Sequence, residues 1–324
     1  MAGSTEIFLP VRDYHLAATL DSGQAFRWRQ NGDAWEGVLG RHFLRLTPKP
    51  DGIRAESFSP VADWDFLRGF LQSEVELEKI IATFPDDPPM RAAVAHCRGL
   101  RLLRQDPWEC LASFILSSTK QIVQIRQIVA LLCERFGEPV FHNEPLNDPA
   151  YASAKTLRAF PPLRVGGVGG ADGERAGVRC ASHHYQKQFS FPTASRIAAA
   201  TEKELRDCKM GFRAPGLLNA ARQIDSGKLD LEKLRRLDYV AARQELMQLH
   251  GVGGKIADCV LLFAYGFDSA FPVDVWIERA LQRLYFPRRR ASEQRLRRFA
   301  ATHFGPHAGY AQQYLFHYMR TKLK

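Results

Sequence analysis

The stretch LMQLHGVGGKIADCVLLFAYG, residues 246–266, decides the fold. Apolar residues three and four apart on both sides of Leu249-His250-Gly251-Val252-Gly253-Gly254 predict two helices joined by a short turn. Gly251 and Gly253 let the backbone turn sharply and approach another molecule without a Cβ in the way. The second helix is predicted to begin at about Gly254. Its first amides lack intrahelical partners and carry the positive end of the helix dipole, which suits a phosphate. The pattern is that of a helix-hairpin-helix clamp for a nucleic-acid backbone. It is not a P-loop, because Ile256 follows Lys255 where Ser or Thr is needed.

Lys255 falls in the first turn of the second helix. A surface lysine touching phosphate is the ordinary reading. A nucleophile is the sharper one, since burial and a helix N-terminus both favour a neutral amine over an ammonium. Cys259 lies four residues on, hence on the same helical face, where it can wall a pocket. Asp274, in SAFPVDVWIERAL, opens a further helix after a short apolar run. It reads first as an N-cap. A carboxylate held there also faces any positive charge that develops nearby.

Outward from this segment, the chain from Leu100 onward reads as helical. Asp106-Pro107 predicts a helix start, and QIVQIRQIVALLCERF a second helix ended by Gly137. Thr193 and Thr201 are further starts, the latter with Glu204 as a capping box. Helices are expected over 216–225, 239–248, 254–266, 274–285, 292–303 and 307–320. The first hundred residues read partly as β. GQAFRWRQ, the turn dipeptide Asn31-Gly32 and DAWEGVLG predict a hairpin, and HFLRLTP and GIRAESF two more strands. WDFLRGFLQ and EVELEKIIATF then switch to helical spacing.

The 324 residues carry a net charge of +10 with a sequence pI of about 9.4, a balance that attracts polyanions. No apolar run is long enough to cross a bilayer, and MAGSTEIFLPVRDYH does not have the form of a signal peptide. A soluble intracellular protein associated with DNA, in the bacterial cytoplasm or a nucleus, is expected, with no membrane partner. The six cysteines, Cys97, Cys110, Cys133, Cys180, Cys208 and Cys259, are scattered, and no CxxC pair occurs. Their spacing argues against a zinc site or an iron–sulfur cluster, so no metal and no cofactor is expected. Residues 161–187, rich in Gly and Arg, read as an insertion without periodicity, and GGVGG within it lacks the GK[ST] of a phosphate loop. The basic run PRRRASEQRLRR at 287–298 is either a DNA contact or a solvated face.

LHGVGGKIADC followed by PVDVW resembles the helix-hairpin-helix/Gly-Pro-Asp superfamily of base-excision DNA glycosylases. Within it the chain resembles the 8-oxoguanine DNA glycosylase/AP lyase family. SGQAFRW at 22–28, RLLRQDPWECLASFILSS at 101–118, MGFRA at 210–214 and GPHAGYAQQYLF at 305–316 carry the likeness in the same order. It covers nearly the whole chain except the insertion. The resemblance implies an α+β fold: a small N-terminal antiparallel β domain, residues 1–100, on a two-lobed helical domain, 101–324. It implies a bifunctional enzyme that removes 8-oxoguanine from double-stranded DNA, one chain sufficing. The target base must be flipped out of the helix to be reached.

The resemblance also implies roles. Lys255 attacks the sugar C1′ and forms a Schiff base. Asp274 stabilises the oxocarbenium-like transition state and assists proton transfer. Gly23 offers its carbonyl to the N7–H that distinguishes oxidised guanine. Gln312 reads the Watson–Crick edge, and Phe316 and Cys259 sandwich the ring. Gly251 and Gly253 hold the backbone, and Phe212-Arg213 fills the gap and reads the opposite base. Two departures from the family pattern stand out. Thr119-Lys120-Gln121 replaces an Asn-rich turn, so opposite-base discrimination is expected to narrow, and Trp276 stands where a histidine is common. The absence of cysteine beyond Cys259 separates the chain from the iron–sulfur branch, and Lys255 from the alkyl-base branch. An abasic-site lyase with weak base release and a non-catalytic DNA-binding module are the competing readings. The second has no use for a Lys255/Asp274 pair.

Overall fold

The computed structural model describes residues 4–118, 121–140, 188–288 and 290–322. Thr119, Lys120, Cys180 and the 161–187 insertion lie outside the described residues.

Five antiparallel strands form the N-terminal sheet in the order β1-β5-β4-β3-β2. They are β1 (Ser4–Pro10), β2 (Trp28–Asn31), β3 (Ala34–Leu39), β4 (His42–Lys49) and β5 (Gly52–Val61). The strands expected from the hairpin signal and from HFLRLTP and GIRAESF are present. Two details differ. Asn31 pairs with Ala34, so the two-residue loop is Gly32-Asp33, one step later than the dipeptide read from sequence. Gly32 has φ +63° while Asp33 has no positive φ, the arrangement of a turn that needs glycine first. The run GQAF, read as the start of a strand, is instead an irregular loop ahead of β2. Sequence reading also missed β1, which pairs with β5 from Glu6↔Glu56 to Pro10↔Gly52.

One face of the sheet is closed by α1 (Leu16–Asp21) and α2 (Asp65–Leu71). Leu9, Trp28, Leu44, Leu46 and Ile53 meet Leu16, Leu20, Leu67 and Leu71 in one core. The next helices, α3 (Leu77–Ile81) and α4 (Pro88–His96), place Leu77, Ile80, Met90 and Ala93 in a second core, which the rest of the chain builds.

At the centre of that second core lies α5 (Pro107–Leu116), nearly all of whose residues are buried. Asp106 caps it as predicted, its Oδ1 accepting from Glu109 N at 2.8 Å. α6 (Ile122–Phe136), α9 (Ala214–Asp225) and α11 (Gly254–Val260) pack directly on α5, and α7 (Ala194–Ala198), α8 (Glu202–Leu205), α10 (Tyr239–Met247), α12 (Val275–Tyr285), α13 (Glu293–His303) and α14 (Ala308–Thr321) complete the helical region. A short ribbon, β6 (Pro139–Val140) with β7 (Gln188–Phe189), sits beyond α6. The capping box of Thr201 and Glu204 is formed. The helix predicted over 254–266 divides: α11 gives way to a π-helical turn, Leu261–Tyr265, ended by Gly266 at φ +78°. Arg104 Nη1 donates to the Leu262 carbonyl at 3.0 Å, and Gln105 N to the Phe263 carbonyl at 2.8 Å, so the wider turn keeps its carbonyls partnered. Among the described residues no helix is long and apolar enough to cross a membrane.

Candidate active site

The hairpin is α10, a tight turn and α11. Gly251 has φ +82°, a conformation that side chains with a Cβ rarely adopt, and Val252 N closes the turn on the Leu249 carbonyl at 3.1 Å. Gly253 is exposed and caps α11, and a Cβ there would meet nothing, so its amide side is open to a partner. Gly254 serves packing instead, because a Cβ there would collide with the Arg243 guanidinium. Arg243 Nε pairs with buried Asp258 at 2.7 Å, and Tyr239 Oη donates to the same Asp258 oxygen at 2.8 Å. These bonds tie α10 to α11 and set the angle of the clamp.

Lys255 is half-buried, and its Nζ donates to Ser117 Oγ at 3.1 Å. The Phe114 ring centroid lies 5.5 Å from Nζ. One helical turn along, Cys259 is buried, and loss of water pushes its thiol up to about 12 despite the nearby Lys255 charge. Asp274 caps α12 as the sequence predicts, its Oδ1 accepting from Ile277 N at 2.8 Å. Burial raises its carboxyl above the ordinary aspartate range, against the pull of the Ile277 hydrogen bond and the Lys255 charge. Amine, thiol and carboxylate thus lie within electrostatic reach of one another.

A second group of the residues singled out from the sequence sits on α14 and in the loop after α1. Gly23 has φ +81°, and a Cβ there would lie 2.8 Å from Ile122 Cδ1 and 3.4 Å from Phe316 Cε1. Phe316 therefore stands directly beside the Gly23 backbone. The loop is pinned by Gln24, which is fully buried. Gln24 Nε2 donates to the carbonyls of Thr19 (2.9 Å) and Arg101 (2.8 Å), and Gln24 Oε1 accepts from Leu103 N at 2.8 Å. Gln313 Nε2 adds a bond to the Ser22 carbonyl at 2.9 Å. Gln312 is buried and donates from Nε2 to the Pro272 carbonyl at 3.2 Å, two residues before Asp274. Its Oε1 is buried and accepts no hydrogen bond.

The residues proposed to face the partner strand are placed differently. Phe212 is 65% exposed. Arg213 is buried, with its guanidinium centred 4.2 Å from the Phe212 ring. Its Nε donates to the Ser118 carbonyl at 2.8 Å, Nη2 donates to the same oxygen, and Nη1 donates to the Met210 carbonyl at 3.2 Å. Gln121 is exposed at the start of α6, its N–H bonded to Gln124 Oε1 at 3.2 Å. Arg279 lies over the Trp276 ring at 5.6 Å. Sequence reasoning missed Ser117, Gln24, Arg243 and Asp258. Ser117, Gln24 and Asp258 all stood in quoted motifs, but nothing in the sequence says which distant group each would meet.

Residues 6–111 match the family described as 8-oxoguanine DNA glycosylase, N-terminal domain, and residues 175–305 the HhH-GPD superfamily base excision DNA repair protein family. A probable N-glycosylase/DNA lyase of Methanothermobacter thermautotrophicus is 30% identical across 96% of this chain and 95% of its own. The chain belongs to the 8-oxoguanine DNA glycosylase/lyase family. A structure of MBOgg1 in complex with low affinity DNA ligand is 28% identical, with a TM-score of 0.83 over 99% of this chain and 97% of that one. The 8-oxoguanine glycosylase/lyase of Clostridium acetobutylicum, in its apo form, is 26% identical, with a TM-score of 0.79 over 98% of each chain. The glycosylase/lyase family fold thus spans both the sheet and the helical region described above. Among the described residues, no three His, Cys, Asp or Glu side chains come together as a metal site.

Proposed function

We propose that this protein excises 8-oxoguanine from double-stranded DNA and then cleaves the strand at the abasic site, with Lys255 as nucleophile. The observation that carries the reading is the Lys255 amine, the raised Asp274 carboxyl and the Cys259 thiol lying within electrostatic reach of one another beside the hairpin turn. The relatives' names support the reaction class: the Clostridium acetobutylicum enzyme is a glycosylase/lyase.

In this reading the Gly251–Gly253 turn grips the phosphate backbone and the lesion base leaves the stack. The base enters between Phe316 and Cys259. The Gly23 carbonyl, fixed by Gln24, accepts from N7–H of 8-oxoguanine, a hydrogen that guanine lacks. The bare Oε1 of Gln312 accepts from the Watson–Crick edge. The Lys255 lone pair forms a bond to C1′ as the glycosidic C–N bond breaks, its electron pair leaving with the base. Asp274, ionised, faces the positive charge that develops on the sugar. The amine then sheds a proton, and the nitrogen lone pair forms the C=N bond of a Schiff base as the C1′–O4′ bond breaks and O4′ takes up a proton. Loss of a C2′ proton breaks the C3′–O bond and releases the 3′ side of the strand.

The test is borohydride trapping on a duplex with one 8-oxoguanine opposite cytosine, beside an abasic duplex. The native protein should form a covalent complex on both. Lys255→Ala should trap neither, with lesion binding retained. Equal trapping by that variant would move the nucleophile elsewhere, and trapping of the abasic duplex alone would reduce the activity to that of a lyase.

A further inference from the structure

The end of α5 holds the reactive amine in place. Ser117 is buried, and its Oγ donates to the Phe114 carbonyl at 2.7 Å. A hydroxyl has one hydrogen to give, so Ser117 faces Lys255 as an acceptor alone. Lys255 Nζ meets it at 3.1 Å. The same Phe114 supplies the ring beside Nζ. That ring is fixed in turn, stacked on Phe263 at 5.5 Å and edge-on to Phe26 at 5.7 Å. From the other side, the Ser118 carbonyl is held by Arg213.

A lysine side chain has wide rotamer freedom, and a nucleophile must reach its target in a narrow geometry. One N–H spent on Ser117 confines Nζ before DNA arrives. After the ammonium loses a proton, that bond persists through a remaining N–H, and the lone pair is left to point away from Ser117, toward the pocket. Given the reading of Lys255 as the attacking group, we infer that Ser117 is a positioning residue for the Lys255 amine. Phe114 anchors Ser117 in that duty through its carbonyl.

The experiment uses an abasic duplex, with enzyme in excess and borohydride present. It reads the limiting trapping rate and the enzyme concentration at half-saturation. Ser117→Ala should lower the limiting rate about tenfold, with half-saturation within about twofold of the native value. Ser117→Thr, which keeps the hydroxyl, should return to within about threefold of the native rate. An unchanged rate in Ser117→Ala overturns the inference. So does a rate and half-saturation that worsen together without rescue by Thr, the signature of a packing role. Ser117→Cys, similar in size but a weak acceptor, serves as the same test if the alanine variant does not fold. Lys255→Ala is run alongside: trapping by that variant overturns the nucleophile itself, an outcome separate from failure of the Ser117 role.

Discussion

The Ser22–Gln24 loop and the Gly211–Arg213 turn both carry residues proposed to meet DNA, yet they are held in different ways. Gln24 is fully buried and spends its amide on three backbone groups drawn from Thr19, Arg101 and Leu103. The Gly23 carbonyl beside it is therefore placed before any base arrives. Phe212 stands 65% exposed with its ring in water, and only the Arg213 beneath it is buried. An element that must tell two bases apart by a single hydrogen needs a fixed frame. One that fills a gap of variable shape needs reach. The local chemistry of the two segments follows those demands.

The sharpest probe of the fixed side is Asp274→Asn. A neutral amide stabilises an oxocarbenium-like state poorly, and single-turnover excision should fall about 10²–10³-fold. Asn still caps a helix well, so the fold should persist. The pH dependence has a definite sign. Burial raises the Asp274 carboxyl in the folded protein above its ordinary value of 3.8. Excision that needs the ionised form should therefore fail, as the solution is acidified, above the usual aspartate range. The same raised value means that the folded state holds this proton more tightly than the unfolded chain. The stability contribution of this group is present below the unfolded value and is lost as pH rises through the folded one. Asp274→Asn should then unfold at the native temperature or slightly above it at neutral pH. A variant that excises at the native rate would leave Asp274 with capping as its role.

Gln24→Ala tests the frame itself. It strips the buried Leu103 N–H and Arg101 carbonyl of their partners, at ~1–3 kcal/mol each. Denaturant unfolding should show a loss of about 3 kcal/mol, and preference for 8-oxoguanine over guanine should shrink. Trapping at an abasic site, where there is no base to read, should survive in whatever fraction folds. Retained discrimination would mean that the loop does not need its pin.

The adjacent pair Phe212 and Arg213 gives the cleanest contrast. Arg213→Ala removes bonds to the Ser118 and Met210 carbonyls and should cost about 1–3 kcal/mol of stability. It should also narrow the preference for cytosine opposite the lesion, measured as excision rates against all four bases. Phe212→Ala should change stability by less than about 0.5 kcal/mol, because the ring is exposed. Binding of lesion DNA should weaken about tenfold, the effect expected for losing an apolar wedge between bases. Equal destabilisation by both changes would dissolve the distinction drawn here.

Much of this architecture is legible in short windows of sequence, and the parts that are not share a cause. Asp106, Thr201 with Glu204, and Asp274 reveal themselves because a cap side chain accepts from the amide three residues on. The clamp reveals itself through closely spaced glycines between two apolar periods. The pins are long-range: Gln24 to Leu103 spans 79 positions and Lys255 to Ser117 spans 138. A buried glutamine and a serine look the same in sequence as surface ones. Strand β1 escaped for a related reason, since its partner β5 lies more than forty residues away and the short run ends in Pro10. The turn at Gly32-Asp33 shows the limit of dipeptide signals, because strand pairing at Asn31↔Ala34 sets the register that the sequence alone leaves open by one residue.

The buried thiols bear on how such a protein survives the conditions that create its substrate. Peroxide attacks the thiolate of cysteine rather than the thiol. All five described cysteines, Cys97, Cys110, Cys133, Cys208 and Cys259, are free and buried, and burial raises every one of them. For Cys259, burial pushes the thiol up to about 12, so it stays a thiol near neutral pH. The sulfur proposed to line the base pocket is thereby chemically quiet toward the oxidants that turn guanine into 8-oxoguanine.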